Sequence, residues 1–389
     1  MQQNPNYTLV YLADSAFLLP YGQLIASHKR GVHLNETGIV LWSLLKNPMD
    51  MPALVSLAAE EFGILPEERE DFQKDVEHFV SELSTLEILT DAPAAEEPAF
   101  CYLRIAGLTL KLCGPQEAFS RDFDLFKIPK AEETMAYANT DLTISVTEEA
   151  PPLRENGQYL LRNPQLSIYE TLNSYILLFP MSRQILEAHL NKDGKRAVFY
   201  CQPPYDETLV YDLFHAIRIP FLYLAGQLSM YAIHSASICY RGKAWLFSGR
   251  SGIGKSTHTN LWKEQFATPV INGDLNLLAI ENGTPVIYGI PWCGTSEIRD
   301  TQTYPLGGIT FLKQETANRL IPQSDGQLRL SILQRLISPL WTNGMMQKAA
   351  AFVNQLSCDI FLGSLGCTVS PEAARVMKEA VDGYCQENV

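Results

Sequence analysis

The sequence predicts an α/β chain, α+β overall, in which a small unit of helices and short strands precedes a larger mixed-sheet domain. Three observations predict it. An acidic helix with a single apolar stripe closes the first ninety residues, a series of short strands runs from about 100 to 205, and the apolar strand AWLFS enters a glycine-rich loop that opens a helix, STHTNLWKEQF.

The first unit begins with short alternating stretches at 17–19 and 23–26, read as a hairpin or meander. The first helix is expected over 36–45 with Asn35 as N-cap, and the second over 52–62 after Asp50. The third carries Phe72, Val76, Phe79, Val80, Leu83 and Leu86 at three-to-four spacing. DAPAAEEPA, 91–99, has two prolines and no periodicity, which places a domain boundary there. The organisation is therefore a first domain at 1–92, a linker at 93–99, a β-rich lobe at 100–205 and a catalytic lobe at 206–389. Strands are expected at 101–105, 108–112, 142–146, 167–172, 174–179 and 197–200. A helix at 206–230 then leads to strands 233–240 and 244–248 around the turn Arg241-Gly242-Lys243.

A net charge of −13 disfavours a nucleic-acid backbone or an anionic membrane as partner. Between Glu60 and Glu97, thirteen acidic residues face only Arg69 and Lys74, which is either a solvated helix face or a preference for a basic partner. Eight cysteines show no paired spacing, which fits reduced thiols in a cytoplasm. Arg218 and Pro220 interrupt the best apolar run, and the N-terminus lacks an export signal, so neither membrane insertion nor secretion is expected.

Gly249, Arg250, Ser251, Gly252, Ile253, Gly254, Lys255 and Ser256 spell G-x-x-x-x-G-K-S, followed by Thr257. Glycines let successive N–H groups face a phosphate, the helix N-terminus adds partial positive charge, Lys255 bridges outer phosphates, and the Ser256 hydroxyl suits magnesium. ATP and Mg2+ are the expected ligands. Asp274, at the end of the next strand, is either a magnesium ligand, directly or through water, or the acceptor of a proton from an attacking hydroxyl; it is also an ordinary turn residue after Asn-Gly. His234 in an apolar strand is either a satisfied core histidine or a group at the phosphates. Glu297 is a further metal-ligand candidate.

The segment from His234 to Thr257, HSASICYRGKAWLFSGRSGIGKST, resembles the catalytic domain of HPr serine kinase/phosphorylases, with a phosphoenolpyruvate-carboxykinase-like fold. The resemblance implies a kinase acting on a serine-type hydroxyl, with His234, Lys255 and Asp274 catalytic. YGIPWCG, 288–294, the strand at 306–312 and Asn318-Arg319 resemble the branch of these kinases tied to ribosomally made, modified peptides; Trp292 there is either a pocket wall or a packed turn. LNETGIVLW, 34–42, with Asp75, Val76 and Phe79, resembles the winged-helix-like PqqD-type domains, which implies a precursor peptide held by its leader. Two departures stand out: Gly273 occupies the place of the first of two adjacent aspartates, and the loop serving phosphorolysis is not recognisable. Two rivals to a peptide kinase follow: a nucleotide-gated leader-binding protein, and a small-molecule kinase whose first unit is a dimerisation module, which keeps a homo-oligomer among the expected partners.

Overall fold

The computed structural model describes all residues except 5, 14, 22–30, 47, 48, 50, 66, 67, 87, 91–98, 155, 295, 296, 388 and 389. It is a mixed α/β protein that divides into two compact units, Met1–Glu97 and Pro98–Val389. The expected strand at 23–26, the residue Asp50 and nearly all of the expected linker lie outside the described residues.

In the first unit, β1 (Gln2–Gln3) pairs with β5 (Leu89–Thr90), and β2 (Tyr7–Leu12), β3 (Ser15–Pro20) and β4 (Val32–Leu34) form an antiparallel meander. Helix α1 (Glu36–Leu44) starts where predicted because Asn35 Oδ1 accepts the Gly38 N–H at 2.7 Å, a cap contributing about 1 kcal/mol. Helices α2 (Met51–Glu61) and α3 (Arg69–Thr85) follow. The α3 stripe buries Val76, Val80 and Leu83 against Leu18, Leu41 and Leu54, whereas Leu86 is 46% exposed, since the helix ends at Thr85 and its last periodic position points out.

The second unit opens with an eight-stranded sheet in the order β6 (Ala99–Ile105), β7 (Leu108–Cys113), β8 (Leu142–Thr147), β13 (Arg196–Cys201), β12 (Ile185–Asn191), β11 (Ser174–Leu178), β10 (Ser167–Glu170) and β9 (Gln158–Arg162). The short α4 (Glu133–Ala138) lies between β7 and β8 in sequence. Helix α5 (Glu207–Gln227), capped by the Asp206 carboxylate, buries Leu213, Phe214, Ile217 and Phe221 in the core beneath this sheet. That core continues to Leu275, Leu277 and Trp292, so one interior spans residues 100–205 and the start of the following segment. Among the described residues α5 is the one helix long and apolar enough to cross a membrane, and most of it is packed in this core.

The second sheet is built on two long strands, β14 (Tyr231–Tyr240) and β19 (Thr303–Gln314). The first half of β14 pairs with β17 (Leu275–Glu281) and the second half with β15 (Lys243–Ser248), while β16 (Val270–Asn272) also pairs with β14. β17 continues to β18 (Thr284–Tyr288), β18 to β19, and β19 runs parallel to β15, which closes the pairings into a ring. β21 (Phe361–Cys367) and β20 (Arg319–Leu320) extend it beyond β19. The β14–β15 hairpin turns through two residues, Arg241 (φ 51°) and Gly242 (φ 72°), the left-handed pair a tight hairpin needs. Around the ring pack α6 (Lys255–Phe266), α7 (Asp325–Leu333), α8 (Asn343–Leu356) and α9 (Pro371–Glu387), the α6–α9 side meeting over Trp245, Phe247, Trp262 and Met377.

Candidate functional site

The glycine-rich loop joins β15 to α6. Ser248, the last residue of β15, donates to the His234 carbonyl at 2.7 Å, which fixes the loop's entry against β14. Gly249, Gly252 and Gly254 have φ of 152°, 74° and 104°, values that L side chains rarely adopt, so the path of the loop requires glycine there. Ile253 anchors the loop by packing toward the α6–α9 core, and its N–H bonds the Arg250 carbonyl at 3.2 Å. Gly254 caps α6 with no side-chain bond, so the first-turn N–H groups of Lys255, Ser256 and Thr257 face outward without an intrahelical partner.

Those groups open into a cavity of about 600 Å³, lined by Ser251, Gly252, Gly254, Lys255, Ser256 and Thr257 from the loop and by His234 and Asp274 opposite. Gly249, Arg250 and Ile253 support the loop from outside this lining. Thr259, Asn260, Val270, Gly273, Cys293 and Ile298 complete the wall. Thr259 and Asn260 lie one helical turn beyond Ser256, a position that helical periodicity alone would have picked out.

Asp274 is aimed by its own turn. Asn272 Oδ1 accepts the N–H groups of Asp274 and Leu275 at 2.9 and 3.0 Å, an Asx turn at the start of β17. The carbonyl of Asp274 accepts the Ser235 N–H at 2.9 Å, and His234 pairs with Leu275 across the ladder. His234 and Asp274 therefore become neighbours on one rim, with Nε2 and Oδ1 3.1 Å apart. The hydrogen bond from His234 holds the Asp274 carboxyl below its ordinary range against the opposing effect of burial, helped by the charges of Lys255 and Arg218. Lys255 is 8% exposed; burial pushes its ammonium's pKa down, and Asp274 offsets part of that. The arrangement can hold an anion between N–H groups and an ammonium, and offers a hydroxyl and a carboxylate as oxygen ligands for a hard cation.

Other predicted residues fall elsewhere. Glu297 is exposed, at φ 55°, outside the cavity lining, and no three His, Cys, Asp or Glu side chains form a metal-binding group among the described residues. Trp292 is 1% exposed, donates to the Phe214 carbonyl at 2.8 Å and packs among Phe123, Phe214 and Phe221, so it is a core residue and not a pocket wall. Gly294 follows it at φ 61°, where an added Cβ would stand 2.8 Å from Asp274 Cβ and 2.9 Å from its Cγ.

Residues 22–89 match the family Coenzyme PQQ synthesis protein D (PqqD), and a PqqD domain stands at the N-terminus. No curated protein matches the chain. Among solved structures, the HPr(Ser) kinase/phosphatase from Coxiella burnetii is similar at 10% identity, over 41% of this chain and 99% of that one, with a TM-score of 0.25. A likeness of that size carries no argument.

Proposed function

We propose that the chain is an ATP- and magnesium-dependent kinase that phosphorylates a hydroxyl, of serine or threonine type, on a ribosomally made peptide held by its leader. The observation that carries this reading is the convergence of Lys255, the loop N–H groups and the His234–Asp274 pair on one cavity. The residues fit the ligands. Glycines at left-handed φ clear the loop for phosphate oxygens, Lys255 and the first-turn amides would hold the outer phosphates, and Ser256 with Asp274 would hold the metal. Bound there, ATP and magnesium supply the transferable phosphoryl group and neutralise its developing charge. Asp274, kept ionised at neutral pH, orients the acceptor hydroxyl and takes its proton as the new oxygen–phosphorus bond forms and the bond to the leaving phosphate breaks. His234 fixes the rotamer of that carboxylate. Rate enhancement comes mainly from positioning and charge.

The first unit supports the peptide part. Among the described residues the three-stranded meander has β2 and β4 as its outer strands, and an extended leader adds to such an edge by main-chain bonds. The eight cysteines, without a disulfide among the described residues, fit a reducing cytoplasm. One observation favours a second reading: Gly273 where the related kinases have an aspartate leaves the cavity one carboxylate poorer, as suits a nucleotide-gated leader-binding protein.

Mass spectrometry decides between them. A candidate precursor peptide that the full chain binds, incubated with it, ATP and magnesium, is expected to gain one phosphate, and to gain none with Lys255→Ala. Nucleotide and peptide binding without that mass gain would replace the kinase by the gated binder.

A further inference from the structure

The cavity at the glycine loop adjoins a second, larger cleft of about 920 Å³ in the same unit. Its walls come from α5, from the connection between β11 and β12, and from the segment 337–341. Asp274 is the one described residue lining both spaces. Whatever occupies the larger cleft can therefore reach the same carboxylate that faces Lys255.

The chemistry of the cleft is mixed. On α5, Thr208, Asp212, His215, Ile219 and Leu222 recur every three or four residues and present one face to it. Phe179, Ile185, Leu340 and Trp341 add apolar walls, and its rim leaves Met181 73% and Tyr211 64% exposed. Exposed apolar side chains around a concave site are what a ligand with a hydrophobic group would cover.

Arg218 is the charge out of place. It lines the cleft, is half-buried, and makes no hydrogen bond or ion pair among the described residues. Burial pushes its pKa down, against the attraction of Asp274. The Asp274 carboxylate is already bonded to His234. Asp212 lies six residues earlier on α5, about 9 Å along the axis and on another side of the helix. Tyr211 also lines the cleft near Arg218, and His215 is kept toward neutrality by burial and by Arg218 itself. A half-buried guanidinium that feels a carboxylate only at a distance, with none bonded to it, is unusual, because its desolvation is normally offset by a partner in contact.

We propose that this cleft is the acceptor site, and that it takes a peptide segment with a bulky apolar residue beside the reactive hydroxyl and a carboxylate side chain that pairs with Arg218. The assignment rests on the phosphoryl-transfer reading, since it is Asp274 that joins the two spaces. It gives the acceptor a chemical class that the phosphate cavity alone does not.

The test uses labelled heptapeptides, acetylated and amidated so that no terminal charge competes, each with a central serine followed by Leu and then by Glu, Lys or Gly at the next position but one. Anisotropy with the full chain measures binding, and phosphate incorporation with ATP and magnesium is read separately. The Glu peptide is expected to bind about tenfold more tightly than the Lys peptide, and replacing its Leu by Gly to cost a similar factor. Arg218→Glu should reverse the charge preference, and the milder Arg218→Met should erase it. Equal affinities, no binding by any peptide, or an Arg218→Met variant that raises KM for ATP and leaves the peptide preference intact would each overturn the assignment. Charge-selective binding without phosphate incorporation would uphold the cleft as a peptide site and sink the kinase reading. Incorporation without Leu or Glu preference would do the reverse.

Discussion

His258 makes the helix after the glycine-rich loop acid-sensitive by an amount that can be worked out in advance. It is 3% exposed on α6, stacked edge-on against Phe247 with centroids 4.4 Å apart, and its Nε2 accepts the Trp262 indole N–H at 3.1 Å. Burial pushes its pKa from 6.5 down to about 4. The folded chain therefore binds no proton there at a pH where the unfolded chain does, so stability is lost as pH falls from about 6.5 and the loss levels off near 4. At pH 5 the two pKa values give a loss of about 2 kcal/mol relative to pH 7. The perturbation is His258→Gln, whose amide oxygen can still accept from Trp262 and does not titrate. Urea unfolding followed by tryptophan fluorescence suits the second unit, which holds Trp245, Trp262, Trp292 and Trp341 and leaves only Trp42 to the first. The difference between wild type and variant, in which the other titrating groups cancel, should shrink by about 2 kcal/mol from pH 7 to 5. A difference flat across that range would refute the argument that His258 is held neutral by burial.

Two further predictions follow from the turn beside Asp274. Gly294→Ala places a Cβ 2.8 Å from Asp274 Cβ at a left-handed φ, so the carboxylate must move away from His234; turnover should drop on the order of 10²-fold with the fold retained, and an unchanged kcat would remove Asp274 from the reaction. Trp292→Phe strips the donor from the buried Phe214 carbonyl and should cost roughly 1–3 kcal/mol in urea unfolding, while ATP affinity by calorimetry stays as in the wild type because Trp292 lines neither cavity.

Legibility in the sequence followed the range of the forces involved. The strand, glycine loop and helix around Lys255 could be read because each depends on local rules: apolar alternation, left-handed φ at glycine, a free helix N-terminus. Asn35 and the α3 stripe were legible for the same reason. β9 and β12 were not, because their residues alternate less clearly and become strands through pairing with β10, β11 and β13. The His234–Asp274 contact joins residues forty positions apart and depends on where β14 leaves β17, which no local pattern encodes. Arg218 was visible only as an interruption in an apolar run. A lone charge inside a buried helix was the available signal, and it points to the larger cleft.

β14 pairs with β17 along its first half and with β15 along its second, and His234 sits at the residue where one pairing hands over to the other. Neither half of the strand can detach while the other stays annealed without bending at that residue. Brief local openings that let amides exchange with solvent should therefore be suppressed around His234 even though its side chain lines a cavity. The rim that holds the carboxylate in register is thus among the last described parts of this unit to loosen, and motion needed to admit or release a ligand must be drawn from the glycine loop that faces it.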